Sequence, residues 1–312
     1  MIKLNSYTKE VEQEFLRIVE KIVENSIQEQ IIENFKKYVP KKELVENLRF
    51  NQLILADYET LMQWYKNIDL PSMNQQILIQ SKDSTKKKCF TALYQTYHDN
   101  YDKLIRQTIA NEKLNVFLTR NSKTYTCPYC NRNYITCRGK KAAGAQLDHF
   151  LNRKTYPIFS LSLYNLVPCC NVCNLIKGKK PLSISPFSSE LDDDSITFET
   201  FGSLLNNNLT VQIKPHENMT ENVNRLRLQE AYDMHKDDLK ELLELQEMYP
   251  ASQLYEICQM INTERRATEK SELTPIDIRN MVFGKQIPYE EYGKKPLSKF
   301  KHDILKKWEI YD

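Results

Sequence analysis

Two Cys-x-x-Cys pairs, Cys127–Cys130 and Cys170–Cys173, stand 39 residues apart in a chain of 312. Each pair offers two thiolates to one side of a tetrahedral ion, and four thiolates close the coordination shell. A closed shell leaves no position for water or substrate, so such a site is structural, and zinc is the ion this spacing predicts. Any fold of this chain has to bring the two pairs together. The alternative is four ordinary buried thiols. Cys137 trails the first pair by seven residues and Cys169 is out of register with the second, so both read as packed or free thiols. Eight cysteines, four of them on metal, fit a reducing cytoplasm better than a disulfide framework.

Between the pairs, Ala145-Gln146-Leu147 reads as a short strand ending in Asp148-His149, and Leu163–Val167 as a second strand. A helix is expected from about Asn171 through Lys177, stopped by Gly178. Strand, strand and helix carrying Asp-His, Asn and Asn resemble the HNH (ββα-metal) nuclease family over residues 120–182. In this order the metal pairs and the polar positions interleave as they do in that family.

The resemblance implies a role for each residue. His149 would be the general base, and an ordinary imidazole pKa of about 6.5 suits that task near neutral pH. Asp148 and Asn174 would hold one divalent ion, magnesium or manganese by the hardness of their oxygens. Asn165 would orient the imidazole or pin the connecting loop. Lys177, one turn beyond Asn174, would support the phosphate. Asn174 stands where the family often has His, an exchange the family tolerates.

Charge points to the same substrate class. Residues 120–180 hold eleven Lys and Arg against one acid, Asp148, a net +10, while the whole chain is only +3. So one-sided a segment reads as a phosphate-binding surface, with Arg153 and Lys154 in the loop between the strands and Lys177, Lys179 and Lys180 after the helix. Nothing resembles a base-reading helix, so double-stranded DNA cut with weak sequence preference is the expected substrate.

The flanks read as helical. Only six glycines occur, three of them (Gly139, Gly144, Gly178) inside the central segment, against an average usage of about 7%. The expected fold class is mainly α with a small α+β insert: a ββα-metal core with its four-cysteine site, flanked by helical regions and a β-hairpin. The expected divisions are a helical region over 1–119, the core over 120–182, and the hairpin with further helices over 183–312. One long amphipathic run is expected from Val11 to Pro40, then helices over Lys42–Arg49, Leu53–Tyr65 and Lys86–Ile109. The aromatics Phe90, Tyr94, Tyr97 and Tyr101 read as core, and Lys86-Lys87-Lys88 as solvated surface. Ile196–Thr200 and Leu209–Ile213 alternate around a turn at Asn206–Asn208. The acids Asp192–Asp194 read as a solvated loop, and Thr220 to Pro250 as one helix. Thr274-Pro275 opens another, and a last helix starts near Ser298.

No apolar run approaches the ~18 residues of a membrane span and no secretory leader is visible, so a cytoplasmic protein is expected. The central segment resembles HNH subunits of bacterial antiphage systems such as Septu, in which the nuclease works with an ATPase or sensor. No Walker A sequence occurs here, so nucleotide dependence would come from such a partner. The competing class is a non-catalytic zinc ribbon that binds nucleic acid or scaffolds a complex.

Overall fold

The apolar run from Val11 to Tyr38 forms two helices, not one: α1 (Lys9–Ile22) and α2 (Asn25–Tyr38). Val23 leaves the helix in an extended conformation, fully buried, with its N–H still donated to the Val19 carbonyl at 3.0 Å. Gln28 Nε2 donates to the Val23 carbonyl (2.8 Å), so the break costs little in backbone hydrogen bonding. Each half keeps its own buried stripe, Val11, Phe15, Ile18 and Val19 on α1, and Ile31, Phe35 and Tyr38 on α2.

The computed structural model describes residues 1–71, 73, 92–203 and 208–311. The Lys86–Lys88 run, Phe90, the Tyr94 side chain, and Asn206 and Asn207 of the hairpin turn lie outside the described residues. The next helices are displaced from their expected bounds: α3 (Lys42–Val45), α4 (Phe50–Ile54) and α5 (Tyr58–Lys66). Arg49 precedes α4 with its N–H donated to Gln52 (2.8 Å), and Asp57 caps α5 by accepting from the Thr60 N–H (2.8 Å). Then come α6 (Ala92–Ile105), the two-residue pair β1 (Thr108–Ile109) and β2 (Glu112–Lys113), and α7 (Leu114–Asn121). Tyr97 and Tyr101 on α6 are buried, as their spacing predicts.

The central segment contains β3 (Cys137–Arg138) paired with β4 (Ala142–Ala143), and β5 (Gln146–His149) paired antiparallel with β6 (Leu166–Cys169). Gln146 faces Cys169 and His149 faces Leu166. The second strand starts later than expected, because Leu163–Asn165 forms a 3-10 turn. After β6 comes α8 (Asn171–Lys177), ended by Gly178 at φ +61°, a conformation glycine takes without penalty. Residues 1–119 and 120–182, read from the sequence as separate regions, fall in one compact unit, Met1–Asp192 with Gly293–Pro296. Phe35 of α2 meets Trp64 at 5.0 Å and Phe159 at 5.7 Å, so the helical part is the packing wall for the loop that follows His149. Gly293 accepts from the Tyr125 and Thr126 N–H groups (2.8 and 3.0 Å), and a Cβ there would lie 2.5 Å from Thr124 Oγ1. Only glycine fits.

The second unit, Asp193–Tyr292 with Leu297–Asp312, is built on the hairpin of β7 (Ile196–Phe201) and β8 (Thr210–Pro215). The expected single helix after Thr220 is three: α9 (Thr220–Arg225), α10 (Leu228–Asp233) and α11 (Lys236–Met248). Arg227 takes left-handed geometry (φ 50°) at the first break. Then α12 (Ala251–Ala267), α13 (Pro275–Phe283, capped by Thr274) and α14 (Ser298–Lys307) follow. Phe198 of β7 packs between Tyr232 and Phe300 at 4.5 and 5.6 Å. Asp193, expected in a solvated loop, is ion-paired with the buried Lys299 (2.7 Å), which also holds Asp303 (2.7 Å). The fold is thus mainly helical, with two-stranded antiparallel sheets among the described residues. No described helix is long and apolar enough to cross a membrane.

Candidate active site

The four cysteines of the two Cys-x-x-Cys pairs converge. Their Sγ atoms all lie within 4.8 Å of one another and all four residues are buried. Zinc–sulfur bonds of about 2.3 Å in a tetrahedron separate sulfurs by about 3.8 Å, so the thiols fit a metal of that kind. The backbone is folded for it. Asn131 donates its N–H to the Cys127 carbonyl (2.7 Å) and the Cys127 N–H goes to Asn133 (2.8 Å), making the first pair a tight knuckle. Cys170 begins α8, and its sulfur accepts from the Cys173 N–H (3.5 Å) and from Asn133 Nδ2 (3.3 Å). Donors aimed at sulfur favour the thiolate. Burial, and after it the neighbouring sulfurs, push the Cys127 thiol well up, and a bound cation would offset this. Cys137 and Cys169 stay out of the group, Cys137 donating to the Val116 carbonyl (3.7 Å). Among the described residues this is the one cluster of three or more His, Cys, Asp or Glu placed to hold a metal.

Against this base, α8 lies beside β5. Cys173 and Lys177 face inward, and the Lys177 ammonium bonds Asp148 Oδ1 (3.0 Å) and the His149 carbonyl (2.9 Å) with no water contact. The other Asp148 oxygen accepts from the Tyr129 hydroxyl (2.7 Å). Burial raises the Asp148 carboxyl, and Lys177 and Tyr129 pull it back down. Further along the same helix, Asn174 Nδ2 donates to Gln146 Oε1 (2.6 Å). Asp148 and Asn174, expected to share one ion, therefore each answer a different protein partner. Lys177, expected at a phosphate, is a buried counter-ion.

His149 is 8% exposed. Its Nε2 lies 3.1 Å from the Ser160 carbonyl, and a carbonyl only accepts, so the proton sits on Nε2 and Nδ1 keeps the lone pair. Burial pushes the imidazole down to about 3, far below the ordinary value expected from the sequence, and the ring is neutral at physiological pH. Tyr101 of α6 covers it, ring centroids 4.5 Å apart. Arg153 lies over the Tyr101 ring at 4.9 Å and bonds Asp102 at 3.2 Å. Asp102 also meets His98 (3.4 Å). Arg153, expected on a nucleic-acid backbone, is here a strap across the aromatic cover. Asn165 takes the second of its two expected roles. Its amide donates to the Leu151 and Phe159 carbonyls (3.1 and 2.9 Å) and accepts from the Leu151 N–H (2.7 Å), pinning the connecting loop.

A cleft of about 310 Å³ opens between β5 and α8. Gln146, Asn152, Asn171 and Asn174 line it with Lys154 and Lys179, and no acid does. Lys180 is exposed nearby in sequence. Four carboxamides and two ammonium groups suit phosphate oxygens and base edges alike.

Compared with known proteins, the chain matches no family model, no curated protein and no solved structure. The site stands on its own geometry. Sequence reasoning missed Tyr101, Asp102, Tyr129 and Gln146. Tyr129 carried a signal, lying inside the first Cys-x-x-Cys pair, and so did Gln146, two residues before Asp148 on the same strand face.

Proposed function

We propose that this protein is an HNH-type endonuclease that hydrolyses DNA phosphodiester bonds with His149 as general base. The observation that carries the reading is the end of β5. There Asp148 and His149 close an antiparallel pair, Asn165 fixes the loop beyond, and α8 is clamped beside them by the four-thiol site. A water attacking phosphorus has to lose a proton, and Nδ1 of His149 accepts it once the ring is opened to solvent, since burial is what depresses its basicity in the closed state. Tyr101 has to swing aside before water and phosphate reach that nitrogen. Lys154, Lys179 and the amides of the neighbouring cleft, which His149 itself does not line, hold the backbone.

The four thiols fit zinc, which holds the fold without touching substrate. The family resemblance also implies magnesium or manganese on Asp148 and Asn174. Asp148 does not fit an ion as arranged, because the Lys177 ammonium and the Tyr129 hydroxyl hold its two oxygens, whereas the Asn174–Gln146 bond engages only the Asn174 Nδ2. The hydrolysis proposed above draws only on groups of the chain itself.

The test is nicking of supercoiled plasmid with and without added magnesium or manganese, together with any protein that co-purifies. His149→Ala should lower the rate about 10²- to 10⁴-fold while leaving zinc content and DNA binding intact. Equal cutting by His149→Ala and wild type would remove the base assignment. A co-purifying ATPase or sensor would support the role of effector in a bacterial antiphage system. The second reading, a zinc-ribbon DNA binder or scaffold, draws on the burial of His149 and Asp148. Tight DNA binding with no cutting under every ion and partner would favour it.

A further inference from the structure

The seven residues of α8 present three different faces. Cys173 and Lys177 are buried, and Asn171 and Asn174 line the cleft. The third face is apolar and open to water: Val172 is 51% exposed, Leu175 78% and Ile176 39%. Their spacing of i, i+3 and i+4 gathers them into one stripe. Single exposed apolar residues need no explanation, but here three adjoin on one short helix, and Leu175 also borders the cleft.

The surroundings select what covers this stripe. Lys154 and Lys179 line the same cleft, and the only acid in residues 120–180 is the buried Asp148. A partner matching this charge is a polyanion. It also needs apolar surface recessed between its charges, and polar edges for four carboxamides. Nucleic acid has all three, because stacked bases lie between two rails of phosphate. An anionic membrane offers charge and apolar depth but no edges for the amides, and three residues are a small face beside the long amphipathic helices that lie in membranes.

We propose that Leu175, flanked by Val172 and Ile176, is a wedge that enters the DNA beside the cleft and unstacks a base step. Lys154, Lys179 and Lys180 hold the phosphates to either side. The proposal rests on the nucleic-acid reading above. Inserted Leu and Ile side chains kink duplexes in this way, repaid by the extra backbone contact that the bend permits. Recognition through unstacking favours soft steps such as TA over base-specific sequence.

The test uses the full chain, without added divalent ion, on duplex oligonucleotides carrying 2-aminopurine at a TA step. Anisotropy of an end label reports binding, and 2-aminopurine emission reports unstacking. Wild type should bind and raise the emission several-fold. Leu175→Ala, at an exposed position that leaves zinc content and circular dichroism unchanged, should lose most of that rise at saturating protein. Lys179→Gln with Lys180→Gln should weaken binding and flatten its salt dependence by about two contacts, yet keep the rise at saturation. An undiminished rise with bound Leu175→Ala overturns the wedge alone. No anisotropy change with wild type overturns the nucleic-acid reading, and the wedge with it. Loss by Leu175→Ala of binding to phosphatidylserine vesicles, or of a co-purifying protein, with the emission unchanged, assigns the face to that partner and overturns the proposal.

Discussion

Lys177 holds Asp148 at 3.0 Å from the opposite side of the β5–α8 contact, both side chains shut away from water. Taking one partner from a buried pair leaves the other charge unpaired, which typically costs about 3–5 kcal/mol. Lys177→Met alone should therefore destabilise strongly. Lys177→Met with Asp148→Asn should recover much of the loss, since Tyr129 still finds an oxygen. Urea midpoints of the two variants decide. Additive losses would mean the two residues do not act as a pair.

Zinc is expected at about one per chain, measured on purified protein by elemental analysis. Cys170→Ser should lose it. Binding energy at such a site is folding energy, so a chelator should also unfold the central segment. A metal-free protein that keeps the wild-type circular dichroism and urea midpoint would contradict this.

Tyr101 is expected to act as a cover. Diethyl pyrocarbonate acylates neutral imidazoles that solvent can reach, so His149 of the wild type should react slowly. Tyr101→Ala should speed modification of His149, read by peptide mass spectrometry, at least tenfold. It should also raise any basal nicking. Equal modification rates would show that Tyr101 does not shield His149.

Acid should weaken the fold through His149. Its folded value of about 3 lies below the unfolded value of about 6.5. Above pH 6.5 the ring is neutral in both states and adds no pH dependence. Below it the unfolded chain takes a proton that the native one refuses, so stability falls as pH drops, until about pH 3. Between pH 7 and 5 this amounts to about 2 kcal/mol. His149→Gln should remove that part of the slope in urea titrations, and identical slopes would exclude the buried imidazole as its source.

Much of the site could be read from the chain because its chemistry is local. Four cysteines at fixed spacing have few other uses, and Asp148-His149 follows a strand pattern that ends where β5 ends. The inward face of Lys177 was not legible: its spacing from Asn174 put it at a phosphate, while its equal claim to the face of Cys173, four positions earlier, is the one the structure takes. Nor was the cover. Tyr101 stands 48 residues before His149, and its spacing with Tyr97 signals burial without saying against what. The helix breaks at Val23 and Arg227 escaped for a related reason. Each interrupts an apolar pattern that runs on unchanged, and only tertiary packing shows where the chain turns.

The metal knuckle has a consequence for chain topology. An ion joining Cys127 and Cys130 to Cys170 and Cys173 turns the 39 residues between them into a closed ring. Gln146, Asp148, His149, Arg153, Lys154 and Asn165 all lie on that ring, and α8 starts where it closes. Tying off a loop of this length removes about 4 kcal/mol of disorder from the unfolded chain, on the scale used for cross-links. The ring also sets the gap across the cleft, since Gln146 lies on it and Asn174 directly follows its last cysteine. An ion held by the four thiols would thereby fix the width of a cleft whose lining it does not touch.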